Sequence, residues 1–420
     1  MSNLSELLPT GGGQNAVDFV ATGTLASGQA VALKTDGTVE AVSSVSAAIG
    51  TPTVYDAQNV YEVRSTYDTA SGKVVVVYRR VGDGDGVAVV GTVSGTSISY
   101  GTPVVFETGT ATATSIAYDA NAQKVVIAYK SNENSNYGTS IVGTVSGTSI
   151  SFGTKTVFES ASTDNTTVAY DANAQKVVIA YRDAGNSNQG TAIVGTVSST
   201  SISFGTATVF ETSNSEFYSG AYDSANQKIV IAYVDNGNDP GGGAAVGTIS
   251  GTTISFGTPV HFGSSSMQYT SATYDVTNAK VVISYADGTN TSGRAIVGTV
   301  SGTSISFGSP AVFEAASSSW VSSVYSSGSG SHVVAYNSTN GKVIEGTVSG
   351  DSISFGTATV FVGNAVSNVV VAYDSANQKP VISFRDAGNS NYGTGIVYTN
   401  FSTNNTSFIG ITAEAISSAA

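Results

Sequence analysis

The stretch that decides the fold is KVVIAYKSNENSNYGTSIVGTVSGTSISFGTKTVF, Lys124 to Phe158. Val125-Val126-Ile127-Ala128 is apolar at every position. A strand with one wet face would alternate, so this one is covered on both faces. Thr139 to Ser146 and Ser149 to Phe158 follow as two more strands, rich in Val, Ile, Thr and Phe. Asn, Gly and Ser clusters separate all three. TSIAYD, ending at Asp119, precedes them as a fourth. The unit is therefore four antiparallel strands, A to D, and no segment carries a helical period.

The same unit recurs along the chain. GT(V/I)S begins at Gly91, Gly143, Gly195, Gly247, Gly298 and Gly346, at spacings of 52, 52, 52, 51 and 48 residues. Tyr-Asp occurs at Tyr67, Tyr118, Tyr170, Tyr222, Tyr274 and Tyr373, and Tyr325 is followed by Ser326 instead. Seven units follow. At 420 residues the chain is too long for one ordinary core, and four strands at a period near 50 predict an all-β fold, a seven-bladed β-propeller of four-stranded antiparallel blades. Unit 7 lacks a recognisable strand D. AAIGTPTVY, Ala47 to Tyr55, aligns with ISYGTPVVF, Ile98 to Phe106. Residues 45–55 are therefore expected to close the ring as the outer strand of blade 7, within a propeller spanning 45–400. Residues 1–44 (with a hairpin turn at Asp36-Gly37) and 401–420 are expected to pair in a small β module into which the propeller is inserted.

Composition narrows the function. Charged residues are 11% of the chain, against roughly 25% in an average domain. The net charge of −13 argues against a partner that tracks nucleic-acid phosphates. There is no cysteine, so thiolate sites and disulfides are excluded. MSNLSELLPTGGG lacks the basic and apolar regions of a Sec signal. No apolar run is long enough for a membrane helix, and membrane insertion is not expected.

Chemistry is sparse. His261 stands where sister units have Val105, Val157 and Val209, and His332 where unit 2 has Val125. Both read as packing substitutions rather than as bases or ligands. Asp83, Asp85, Asp183, Asp235, Asp239, Asp287 and Asp386 lie in B–C loops and could pair for glycoside hydrolysis. Beside Gly and Asn, however, loop aspartates usually cap turns. The chain is expected not to be an enzyme, with no catalytic residues, no metal ligands and no cofactor. Ca²⁺ in oxygen-rich loops such as Asp83 to Gly86 is the exception considered. RDAGNSNQG, Arg182 to Gly190, and RDAGNSNYG, Arg385 to Gly393, resemble the Asp-box of sialidase-like propellers without its closing aromatic.

Variation is distributed unevenly. The A–B loops (DANAQK twice, DSANQK twice) and the C–D turns (SGTS and close variants) barely differ between units. The D–A and B–C loops differ freely, and in an up-and-down blade these emerge on one side. Divergent loops on a rigid scaffold are where binding usually sits. Phe217, Tyr218, Tyr269 and Trp320 precede strand A of units 4 to 6 on that side. They read either as a plug of the channel mouth or as a sugar-stacking patch, with Asp235, Asp287 and Asn290 as polar neighbours.

LSELLPTGGG (Leu4 to Gly13), ATGTLASGQAVALKTDGTV (Ala21 to Val39) and FIGITAEAIS (Phe408 to Ser417) resemble the termini of structural proteins of tailed phages of marine bacteria. TLASGQAVALKTDGTVEAV also resembles small β domains of phage head-decoration proteins. The resemblance covers residues 4–42 and 407–417, roughly an eighth of the chain. It implies a virion component: tail fibre, spike or capsid decoration. Its partners would be other virion proteins at the terminal module and a host-surface glycan or receptor at the variable face, with self-association left open. The alternatives are a secreted bacterial lectin-like adhesin and a propeller glycosidase.

Overall fold

A computed structural model describes residues 20, 30–33, 38–41, 44–45, 47–237, 240–263, 266–399, 402–403 and 408–411. The chain divides into two compact units, Met1–Ala47 with Phe401–Ala420, and Ala48–Asn400. In the first, Ala30–Leu33 is the middle strand of a three-stranded antiparallel sheet, between Val39–Ala41 and Phe408–Ile411. Ser44–Val45 pairs with Ser402–Thr403. This pairing moves the division three residues beyond the expected boundary at 44/45. Asp36-Gly37 and the LSELLPTGGG stretch lie outside the described residues.

The larger body is all-β, a propeller-like repeat of antiparallel four-stranded sheets. In unit 2, strand A is Ala111–Asp119, B is Lys124–Ser131 and C is Tyr137–Ser146. Strand D comes in two pieces, Ser149–Phe152 and the start of Thr156–Asp171, both paired with C. Thr156–Asp171 then continues without interruption as strand A of unit 3. Thr53–Asp68 and Thr208–Asp223 span a D–A junction in the same way. The D–A segments expected to be loops are thus partly extended strand. The only helical turns among the described residues are Asn132–Asn134 and Ala184–Asn186, in B–C loops.

The uniformly apolar B strand is explained by two cores. Val125, Ile127 and Tyr129 pack with Val75, Val77 and Val90 of unit 1. Val126 and Ala128 face the other way, onto Val168, Val177 and Ile179 of unit 3. Alternate side chains serve opposite neighbours, and all five of these B-strand residues are fully buried. At the end of the array, Val74, Val76 and Tyr78 of unit 1 share a core with Val370, Ala372, Val381 and Val397 of unit 7.

Three devices join neighbouring units. The tyrosine of each Tyr-Asp pair reaches the A–B turn of the preceding unit. The Tyr118 hydroxyl accepts the Ala70 N–H, Tyr170 accepts that of Asn121, and Tyr222 that of Asn173. The aspartate caps its own turn, as Asp119 Oδ1 accepts the Asn121 and Ala122 N–H groups. Secondly, the glycine after SISF leaves room for the next unit's C–D turn. A Cβ on Gly153 would lie 1.8 Å from the Thr200 carbonyl oxygen, and one on Gly50 would lie 2.0 Å from that of Thr96. Thirdly, a carboxylate at the end of strand D accepts the buried B-strand tyrosine of the next unit: Tyr78 donates to Asp56, Tyr181 to Glu159, Tyr233 to Glu211 and Tyr336 to Glu314. Unit 6 has Val362 at the carboxylate position, and the residue facing it in unit 7 is Phe384, which has no hydroxyl to satisfy.

The strand preceding unit 1 pairs with strand C of unit 7, Tyr392–Thr399. Ile49 pairs with Tyr398, Thr53 with Gly395, Val54 with Thr394, Asp56 with Gly393 and Asn59 with Tyr392. The pairing runs four residues past the expected limit at Tyr55.

Candidate functional site

Every A strand carries one β-bulge against its B strand, between Thr112 and Ser115 in unit 2 and at the matching place in the other six. One residue of each bulge has positive φ. Three are aromatic: Phe217 (53°), Tyr269 (55°) and Trp320 (53°). The other four are Glu62 (54°), Ala113 (52°), Asn165 (51°) and Asn368 (52°). Left-handed backbone costs a non-glycine residue about 1–2 kcal/mol, so it persists only where the surroundings impose it. Neighbouring units do so here: the Thr166 hydroxyl donates to the Ala113 carbonyl, and that of Thr270 to the Phe217 carbonyl. Bulges re-aim side chains, and all seven of these residues line one cavity of about 740 Å³.

The aromatic side of the cavity is continuous. Phe217 and Tyr269 have ring centroids 5.2 Å apart, and Tyr269 and Trp320 are 4.9 Å apart. Tyr61 meets Trp320 edge-on at 6.1 Å, and the Arg79 guanidinium sits 5.5 Å over the Tyr61 ring. Trp320, Tyr269 and Phe217 are half-buried. The three aromatics expected before strand A therefore lie within it, at its bulge. Tyr61 was not among the expected residues. Its signal was its place beside Glu62, one residue before the bulge position of unit 1.

The other side carries charge. Asp164 is held between Lys130 at 2.5 Å and Arg182 at 3.0 Å. Arg64 is half-buried and donates from Nη1 to the Val63 carbonyl at 2.8 Å. Burial pushes the Glu62 carboxyl above its ordinary range, against the pull of Arg79 and Arg64.

The remaining expected site residues separate from this cluster. Tyr218 touches the cavity but is buried, with its hydroxyl 2.7 Å from Ser215 Oγ and donating to the Ser215 carbonyl at 2.9 Å. It packs against Phe210 and Tyr233 as core. Asp235 and Asp287 end their B strands and do not line the cavity. Asp235 accepts from Ser213 Oγ at 2.5 Å and the Gly237 N–H at 2.7 Å. Asp287 binds Asn290 through both carboxylate oxygens, at 3.1 and 2.7 Å, and Arg294 at 3.3 Å. The expected grouping of Asp235, Asp287 and Asn290 with the aromatics is thus not what the strands produce. A B-strand terminus caps the B–C turn, whereas the bulge belongs to strand A.

Glu211, Asp235 and His261 bring ligand atoms within 4.8 Å of one another, the one such group among the described residues. Their oxygens already accept from Tyr233, Ser213 and Gly237. Sister carboxylates Glu107, Glu314 and Asp56 each hold a cation, Lys155, Lys342 and Arg80. Against the upward push of burial, hydrogen bonds from Tyr233 and Ser213 hold the Glu211 carboxyl below its ordinary range, with a lesser pull from His261. The other histidine, His332, is buried, with Nδ1 2.9 Å from Thr273 Oγ1 and Nε2 3.4 Å from Asp275 Oδ2. In the Asp83 loop, Asp83 accepts the Asp85 N–H and Asp85 that of Gly109, which is turn chemistry. Asp239 lies outside the described residues.

No family model matches the sequence, and no curated protein does. Among solved structures, the chain is similar to a protein of unknown function from Dyadobacter fermentans DSM 18053. The two are 9% identical with a TM-score of 0.52, over 84% of this chain and 98% of that one. A structure of the Dos1 propeller matches at 11% identity and a TM-score of 0.46, over 91% of this chain and 83% of that one. At such identities the likeness is one of fold.

Proposed function

We propose that Ala48–Asn400 is a seven-bladed β-propeller closed by the strand preceding unit 1, and that the chain is a non-enzymatic virion protein of a tailed phage. Closure is supported by the pairing of Asp56 with Gly393 and by the shared core of units 1 and 7. The terminal strands form the anchoring module, supported by the pairing of Ala30–Leu33 with Phe408–Ile411. Three strands are independently stable only with a hydrophobic face to bury, and in this reading another virion protein covers that face. The virion assignment itself rests on the resemblance of the chain ends.

The cavity attaches to a host-surface glycan. One observation carries this reading: the side chains that differ most between units stand at equivalent strained positions and converge on one aromatic-lined cavity. Aromatic faces beside polar groups suit a sugar ring. The test pairs adsorption to cells with thermal melting. Trp320→Ala should weaken attachment by about 1–3 kcal/mol, as loss of a stacking anchor does, and leave folding nearly intact. Unchanged adsorption with a stability loss of about 3–5 kcal/mol would make the arc a plug. Mass spectrometry of purified particles tests the virion assignment, and presence on secreting cells alone would favour the adhesin.

Hydrolysis is the second reading, favoured by Glu62 and Asp164 lining the same cavity, the former with a raised pKa. Against it, Asp164 is locked by two cations. Turnover abolished by Glu62→Gln would establish it.

A further inference from the structure

The cavity's charge balance has the opposite sign to that of the whole chain. The chain has 29 acidic residues against 16 Lys and Arg. The cavity reverses that ratio: Arg64, Lys130 and Arg182 line it, against Glu62 and Asp164. Arg79, over Tyr61, adds a fourth cation at its edge.

Resting on the glycan reading above, we propose that this cavity selects acidic saccharides, stacking one sugar face on Tyr269 and Trp320 and drawing the carboxylate of a uronic acid unit to the Lys130–Arg182 wall. Asp164 already shows how that wall receives a carboxylate, with contacts of 2.5 and 3.0 Å from the two cations. Lysine carries three donors and arginine five, so both retain donors after binding Asp164. A neutral sugar would need the aromatic arc but not the cations. Glu62 opposes an anion least when neutral, and burial favours its neutral form. The net charge of −13 repels a densely charged polymer at a distance. The fitting ligand is therefore a glycan whose carboxylates are isolated among neutral sugars.

The test is calorimetric binding of a panel of uronate-containing oligosaccharides and their carboxyl-reduced counterparts, with thermal melting of each variant. The acidic form should bind up to about fivefold tighter, the upper end for one exposed charge pair, with the advantage shrinking in high salt. Lys130→Gln should erase that advantage. Asp164→Asn should enlarge it, because it frees two cations, whereas a purely structural role for the triad gives no gain from that change. Should Lys130→Gln melt early, Arg182→Gln, which removes the other cation that faces Asp164, supplies the same comparison. Equal binding of the acidic and reduced forms would overturn the acidic preference and leave glycan recognition standing. Binding of neither, with adsorption unaffected by Trp320→Ala, would remove both.

Discussion

The backbone N–H of Glu62 donates to Asn368 Oδ1 at 2.8 Å, across 306 residues of sequence. Both residues occupy the left-handed bulge position, one in unit 1 and the other in unit 7. The geometry of the first repeat thus depends on the last.

Deleting residues 1–56 should therefore do more than trim an end. It removes Tyr55, which is buried against Gly393, and leaves the outer edge of Tyr392–Thr399 unpaired. Exposed edges aggregate. Calorimetry should show loss of a single cooperative transition, and an unchanged melting profile would mean that the strand is dispensable.

Two glycines with the same sequence context should respond oppositely. A Cβ on Gly153 collides with the Thr200 carbonyl at 1.8 Å, whereas among the described residues one on Gly356 meets only the Glu345 carbonyl at 3.9 Å, and unit 7 has no SGTS-type turn in its sequence. Gly153→Ala should cost at least the roughly 1–3 kcal/mol of overpacking. Gly356→Ala should be nearly neutral in denaturant titration.

The buried tyrosines offer a second pair. Tyr233 donates to Glu211 at 2.6 Å, and Tyr233→Phe should cost about 1.5–3 kcal/mol, as for a hydrogen bond to a charged group. Tyr285 follows a unit with Gly263 in the carboxylate position, and its buried hydroxyl has no hydrogen-bond partner among the described residues. Tyr285→Phe should be neutral or stabilising, as Phe384 already suggests. Equal losses in urea midpoints would contradict this pairing scheme.

Acid should act on Asp275. Burial alone would raise its pKa, but hydrogen bonds from His332 and Asn278 outweigh it and hold the carboxyl well below its usual range. A depressed carboxyl stabilises the fold above its unfolded pKa of about 3.9, and that stabilisation is lost as pH falls through the folded value. His332→Val, the residue type of unit 2, should flatten the decline in melting temperature on acidification from about pH 5 to 2. An unaltered slope would assign that decline to other carboxylates.

How far the sequence was readable depended on whether a residue's role is local. The apolar run Val125 to Ala128 announced its two covered faces, and Asp119 announced its turn by sitting beside one. Gly50 was readable because its neighbours repeat those of Gly101. The bulges were not readable. No glycine marks them, and the αL backbone is imposed by hydroxyls such as Thr166, which belongs to the next unit. Tyr61 was missed for the same reason, as its partner Trp320 lies five units away. Asp235 and Asp287 were misgrouped because proximity to a variable loop does not say which strand a side chain leaves from.

The seven left-handed positions have a further consequence for how such a molecule changes over time. They hold Glu, Ala, Asn, Phe, Tyr, Trp and Asn, and no Val, Ile or Thr, although the chain is rich in Val and Thr. Branching at Cβ is what that backbone tolerates worst. Among unbranched residues the penalty is lowest for Asn and larger for bulky side chains, yet neighbouring units hold the backbone in place for both kinds. Each unit can therefore exchange its contribution to the cavity by a single substitution, with Phe217 and Tyr269 the two that also lean on a core between units. Selection on what the cavity holds can proceed one position at a time.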